Sequence, residues 1–229
     1  MKTSLSPYAE YDVAIPCGIA TLNGHLNIPA RSKGLVIFAH GSGSSRNSPR
    51  NRSVAWELNH RGLATLLVDL LTPEEAENEA TSAALRFDIP LLTGRLVAAT
   101  RWAQKEESLS RLAIGYFGAS TGAAAAIAAA VDVPEISAVV SRGGRSDLAG
   151  NAIRQLKAPT LLIAGEHDEP VVKWNHDSYE RLSCTKEFTL VTGADHLFSE
   201  PGTLEKVAEL AGEWFEKHLG DATRKLEPN

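Results

Sequence analysis

Leu112-Ala-Ile-Gly-Tyr-Phe-Gly-Ala-Ser-Thr-Gly122 runs directly into Ala-Ala-Ala-Ala-Ile-Ala-Ala-Ala130. The stretch reads as a buried strand, a sharp glycine-flanked turn and a helix. The turn, Gly118-Ala119-Ser120-Thr121-Gly122, fits the nucleophile-elbow pattern G-x-S-x-G. A serine at the tip of such a turn must take a strained backbone, and the glycines let strand and helix approach. The Ser120 hydroxyl is then carried beyond the sheet edge. The Thr121 amide falls at a helix N-terminus, where an unpaired N–H can meet an oxyanion. The alanine run allows the helix to pack closely on the sheet.

Working outward, Leu35 to His40 is a nearly continuous apolar run suited to a strand buried on both faces, ending in Gly41-Ser-Gly-Ser-Ser45. Ser53 caps an expected helix over Val54 to Arg61, closed by Gly62, and Leu63 to Asp69 is the next strand. That order implies a right-handed parallel crossover. Upstream, residues 11–29 look like two antiparallel strands turning at Pro16-Cys17-Gly18, with Asn23-Gly24 as a second turn signal or a bulge. Downstream, residues 72–90 are acidic and irregular and 91–104 have helical spacing. Strands follow at 136–140, 158–165 and 187–191, with a helix at 173–183. An amphipathic helix spans 203–219, with Gly220 as its stop. The expectation is a single α/β domain over residues 1–229, with its core at 12–219. Its sheet should be doubly wound and mostly parallel, with about eight strands. No internal repeat, linker or insertion the size of a cap domain interrupts it.

Across 229 residues the formal net charge is −5, which argues against a nucleic-acid partner. No apolar run approaches the roughly 20 residues of a membrane span. The start, Met-Lys-Thr-Ser-Leu-Ser-Pro-Tyr8, lacks the apolar centre of a signal peptide. Cys17 and Cys184 lie far apart with no metal-binding spacing. They read as free thiols of a cytoplasmic protein, with no membrane partner. Nothing in the sequence sets the oligomeric state.

In such sheets ligands sit beyond the carboxyl ends of the strands. His40, Ser42, Ser120, Arg142, Asp168 and His196 all fall there. A hydroxyl needs an adjacent base, and the base a third group to fix its tautomer. The chain order serine, aspartate, histidine is met by Ser120, Asp168 and His196. Other residues compete. Asp195 adjoins His196, and His167 adjoins Asp168. His40 suits bracing its loop better than reacting. Arg142 and Arg145 follow the strand beside the elbow. Either could hold an anionic substrate group, or pair with Asp147 or Asp88. Arg46, Arg50 and Arg52 read as a solvated loop.

Over residues 12–219 the chain resembles the α/β-hydrolases, and most of all their dienelactone-hydrolase-like branch. The resemblance rests on the elbow, the His40-Gly-Ser-Gly43 loop, the Gly165-Glu-His-Asp168 turn and the Gly193-Ala-Asp-His196 turn. It implies Ser120 as nucleophile, His196 as base and Asp168 as the acid orienting it. It also implies an oxyanion hole from the amides of Ser42 and Thr121. The implied chemistry is cleavage of small carboxylic esters or lactones through an acyl-serine, without metal or cofactor. Dienelactone hydrolases proper carry cysteine at the elbow; Ser120 departs from this and favours a general ester. With no cap, the site should be open, bounded by residues 72–90, 142–150 and 170–176. Two other classes fit the same fold: a silent binding module and a small-substrate peptidase or amidase.

Overall fold

In the computed structural model, which describes residues 9–78 and 83–225, strand β5 (Ile114–Ala119) lies inside an eight-stranded sheet. The strands are β1 (Ala9–Cys17), β2 (Ala20–Ile28), β3 (Leu35–Ala39), β4 (Ala64–Val68), β5, β6 (Ala138–Arg142), β7 (Thr160–Gly165) and β8 (Lys186–Val191). Their spatial order is β1-β2-β4-β3-β5-β6-β7-β8. β1 and β2 are antiparallel, and every pairing from β4 to β8 is parallel. The helices are α1 (Pro49–His60), α2 (Pro73–Glu77), α3 (Ile89–Ala103), α4 (Thr121–Asp132), α5 (Ala152–Gln155), α6 (Glu169–Arg181) and α7 (Thr203–Lys225). This is the doubly wound sheet expected from the alternation of apolar runs, in the α/β-hydrolase arrangement that the resemblance implied.

Period-two alternation along buried strands splits the core into two layers. On one face Ile37, Tyr116, Val139 and Leu162 pack with Leu96 of α3 and Ile127 of α4. On the other, Phe38, Phe117, Val140 and Ile163 pack with Leu58 of α1 and Phe215 of α7. Small residues set the spacing between layers. A Cβ on Gly115 would lie 2.7 Å from the Phe215 ring, so α7 reaches the sheet only over a glycine. A Cβ on Gly122 would stand 2.2 Å from the Ala39 carbonyl oxygen, which brings the start of α4 hard against β3.

Several boundaries differ from the sequence reading, each for a local reason. The β1–β2 turn is Gly18-Ile19, with Gly18 at φ 62°, while Pro16 stays in β1 opposite Thr21. Asn23-Gly24 makes no turn; Gly24 sits in β2 between Val13 and Val68. Its absent side chain makes room for Val13, whose Cγ2 would be 2.9 Å from a Cβ there. Helix α1 starts at Pro49, not beyond Ser53. Ser48 caps it, accepting from the Asn51 amide at 3.4 Å, and the proline occupies a first-turn position that needs no N–H. Thr72 and Glu75 form a capping box that makes α2 out of part of the acidic connection. Residues 79–82 of that connection and the N-terminal 1–8 lie outside the described residues. Helix α6 starts at Glu169, and α7 runs through Gly220 to Lys225. Among the described residues no helix is long and apolar enough to cross a membrane, and both cysteines are free thiols.

Candidate active site

Ser120 follows the last residue of β5 and takes φ 50°, ψ −121°, a conformation rarely adopted by residues with a side chain. Three backbone hydrogen bonds hold it there. Its amide donates to the Arg142 carbonyl at 3.1 Å, and its carbonyl accepts from Arg145 and Ala123, both at 3.0 Å. The flanking glycines are required by contact: a Cβ on Gly118 would lie 2.4 Å from the Ala123 Cα. Packing against α4 and its neighbours thus sustains the strained elbow, and the half-buried Ser120 side chain makes no capping bond to the helix.

The loop after β3 rests directly on this serine, since a Cβ on Gly41 would be 2.9 Å from the Ser120 Cβ. His40 fixes the loop's root. Its Nδ1–H donates to the Gly41 carbonyl at 2.9 Å and its Nε2 accepts from the Leu70 amide at 2.9 Å. Burial pushes its pKa down, and both ring nitrogens are spent on backbone, so His40 braces and does not react. Arg46 ties down the far end of the loop, pairing its guanidinium with Asp69 while its amide donates to Asp69 Oδ1 at 2.6 Å. Ser42 and Thr121 line one pocket of about 670 Å³, together with Arg46, Arg50, Leu71 and Arg86. Thr121 is the first residue of α4, where an amide has no acceptor within its own helix.

His196 stands in the turn after β8, and Asp168 in the turn after β7. Its Nδ1 meets Asp168 Oδ2 at 2.5 Å, with the Asp168 side chain 11% exposed and that of His196 39% exposed. With the Nδ1 proton held by the carboxylate, neutral imidazole carries its free lone pair on Nε2. Gly143 packs against this histidine: a Cβ there would lie 3.2 Å from the His196 carbonyl oxygen. Gly143 directly follows Arg142, whose carbonyl holds the Ser120 amide. Among the described residues no hydrogen bond yet joins the Ser120 hydroxyl to His196, whose Nδ1 is committed to Asp168. Catalytic contacts of this kind commonly tighten only around substrate.

The rival residues are placed elsewhere. Asp195 Oδ1 accepts from the amides of Leu197 at 2.8 Å and Ser199 at 3.1 Å, so it shapes the turn that presents His196. His167 is exposed. Glu166 accepts from the Gly193 amide at 2.8 Å and ties the two turns together. Arg145 grips Asp147 at 2.9 and 2.8 Å and lies 4.1 Å over the Trp174 ring. Arg142 makes neither ion pair considered for it. Its Nη2 donates to Asn51 Oδ1 at 3.3 Å, and Asp88 instead caps α3. Residues 142–150 and 170–176 do not line the pocket beside Ser42; the loop at 40–50 does, with Asp69, Leu71 and the 73–77 helix. The roles of Arg46 and Asn51 were missed because their partners, Asp69 and Arg142, are remote in sequence. The one local signal was Ser48-Pro49, which marks the helix start.

Comparison with known proteins identifies the fold and the family. The Dienelactone hydrolase family matches residues 22–219. A dienelactone hydrolase from Anabaena variabilis ATCC 29413 superposes with a TM-score of 0.90 and 53% identity, over 92% of this chain and 98% of that one. Est1E from Butyrivibrio proteoclasticus shares the fold at a TM-score of 0.76 and 17% identity, over 90% of this chain and 98% of its own. Two Mycobacterium tuberculosis proteins, of strains CDC 1551 / Oshkosh and ATCC 25618 / H37Rv, are 50% identical over 215 residues; each is described as a "Putative phosphoribosyl transferase". The match takes in 93% of this chain and 47% of theirs, so the chain spans about half the length of these curated relatives. A family match running from β2 into α7, on a sheet shared with a relative 53% identical, makes this chain a member of the dienelactone hydrolase family, with serine where its elbow turns.

Proposed function

We propose that the protein is a serine hydrolase that cleaves small carboxylic esters or lactones. The observation that carries this reading is the strained Ser120 at φ 50°, whose amide bonds the Arg142 carbonyl next to Gly143, the glycine that packs against His196, itself paired with Asp168 at 2.5 Å. Family membership supports a hydrolase; the choice of carboxylic ester is our own. His196 Nε2 takes the Ser120 proton as Oγ attacks the acyl carbon, and Asp168 steadies the imidazolium that forms. The amides of Ser42 and Thr121 face the developing oxyanion. The imidazolium returns the proton to the leaving alcohol, and water activated by His196 then releases the acid. No step calls on a metal or redox group.

The phosphoribosyl transferase description belongs to proteins about twice as long as the matched segment. The test is steady-state hydrolysis of p-nitrophenyl and lactone esters by wild type and Ser120→Ala. We expect the variant to lose several orders of magnitude in kcat. Near wild-type turnover by Ser120→Ala would remove the reading.

A further inference from the structure

Arg142 ends β6 and offers its carbonyl to the Ser120 amide, but its side chain passes beneath the first turn of α1. The residue is 7% exposed. Beyond the bond to Asn51, its Nε and Nη1 are buried without a partner. Arg50, beside Asn51 on α1, brings up a second guanidinium whose Nε is likewise buried and unpartnered. Arg46 and Arg145 each hold a carboxylate. Among the described residues no carboxylate pairs with Arg50 or Arg142. Burial and repulsion from Arg50 push the Arg142 pKa down to about 10. Cations buried together without a counter-charge are costly unless an anion joins them. The N-terminus of the twelve-residue α1 adds positive potential of its own. Arg50 lines the pocket that also holds Ser42 and Thr121, and Arg142, itself outside that lining, bonds Asn51, the next residue along α1.

We propose that Arg50, Arg142 and the first turn of α1 form a subsite for a phosphate group carried by the substrate, next to the oxyanion loop. Phosphate suits it better than carboxylate on two counts. A phosphate monoester near neutral pH approaches two negative charges, matching two guanidiniums, whereas a carboxylate brings one. The three orphaned nitrogens, Nε and Nη1 of Arg142 and Nε of Arg50, carry enough N–H donors to engage three terminal oxygens, whereas a carboxylate offers two. Guanidinium N–H donors directed at phosphate oxygens form strong charge-assisted bonds. The substrate would then be a phosphorylated ester, a statement that rests on the serine-hydrolase reading.

The experiment begins with binding, which needs no turnover. Melting of the full chain is followed with rising inorganic phosphate, and with acetate at matched ionic strength, in wild type and in Ser120→Ala. Phosphate should raise Tm in both proteins, with acetate much weaker. Arg50→Gln and Arg142→Gln should each weaken the apparent phosphate affinity by about tenfold or more. Arg50 is only partly buried, so its variant keeps the test intact if Arg142→Gln does not fold. In the second arm, kcat/KM for a phosphate-bearing ester should exceed that for its neutral isostere by about tenfold or more. No phosphate shift, an equal acetate shift, or an undiminished shift in the arginine variants overturns the subsite. Phosphate binding without preference for the phosphorylated ester overturns its assignment to substrate. Loss of the hydrolase reading would show separately, as absence of Ser120-dependent turnover of neutral esters.

Discussion

Replacing Ser120 by glycine should stabilise the protein while abolishing its chemistry. At φ 50°, ψ −121° a residue bearing Cβ is strained, at a cost of ~1–3 kcal/mol. Glycine adopts that conformation freely, but its more flexible unfolded chain takes back about 0.5–1 kcal/mol. The Ser120 hydroxyl makes no capping bond to α4, so its removal sacrifices nothing there. Ser120→Ala keeps Cβ and therefore keeps the strain. The net difference between the two variants is about 1 kcal/mol in favour of glycine, or about 2–4 °C in Tm for a chain of this size. Differential scanning calorimetry at neutral pH measures it directly. Ser120→Gly melting below Ser120→Ala would mean that the elbow stores no strain, and the account of how β5, Gly118 and Gly122 hold it would be wrong.

Asp168→Asn should reduce kcat by roughly 10⁴-fold, because an amide can bind the wrong imidazole tautomer. Asp195→Asn, whose oxygen serves the Leu197 and Ser199 amides, should do far less; steady-state kinetics would show the reverse ranking if Asp195 were the acid. His40 is held neutral by burial, with its pKa lowered, so below about pH 6.5 the unfolded chain binds a proton that the folded one refuses. Stability should therefore fall as pH drops through that range, by at most about 1.4 kcal/mol per pH unit for the one site. A Tm series from pH 7.5 to 5 should be flatter in His40→Gln, and parallel curves would show that His40 is not the group. Short acyl esters should be turned over better than long ones, since an open site recovers little of the ~0.8 kcal/mol available per buried CH₂; rising kcat/KM along an acyl series would contradict this.

The elbow was legible because its chemistry is local. A serine between two glycines, after an apolar strand and before alanines, admits few backbone solutions, and the structure adopts the strained one. The ends of β7 and β8 were legible for the same reason, since each apolar run stops at a polar turn. Chain order already favoured Asp168 over Asp195, and the fold adds that Asp195 turns to its own backbone. The depth of Arg142 was not legible in the sequence. It shares strand parity with Ala138 and Val140, whose side chains join the α1–α7 layer, and that parity sends it under α1. The start of α1 was in the sequence as Ser48-Pro49. Gly220 misled because packing of α7 against the sheet carries the helix through a residue of low propensity.

The most direct measurement is covalent. Wild type, Ser120→Ala and Asp168→Asn are incubated with a fluorophosphonate and weighed intact by mass spectrometry, with the modified peptide then sequenced. An activated serine should give one adduct, on Ser120, absent in Ser120→Ala and formed far more slowly in Asp168→Asn. No adduct on the folded wild type, or an adduct that persists in Ser120→Ala, would contradict the assignment of Ser120 as the nucleophile.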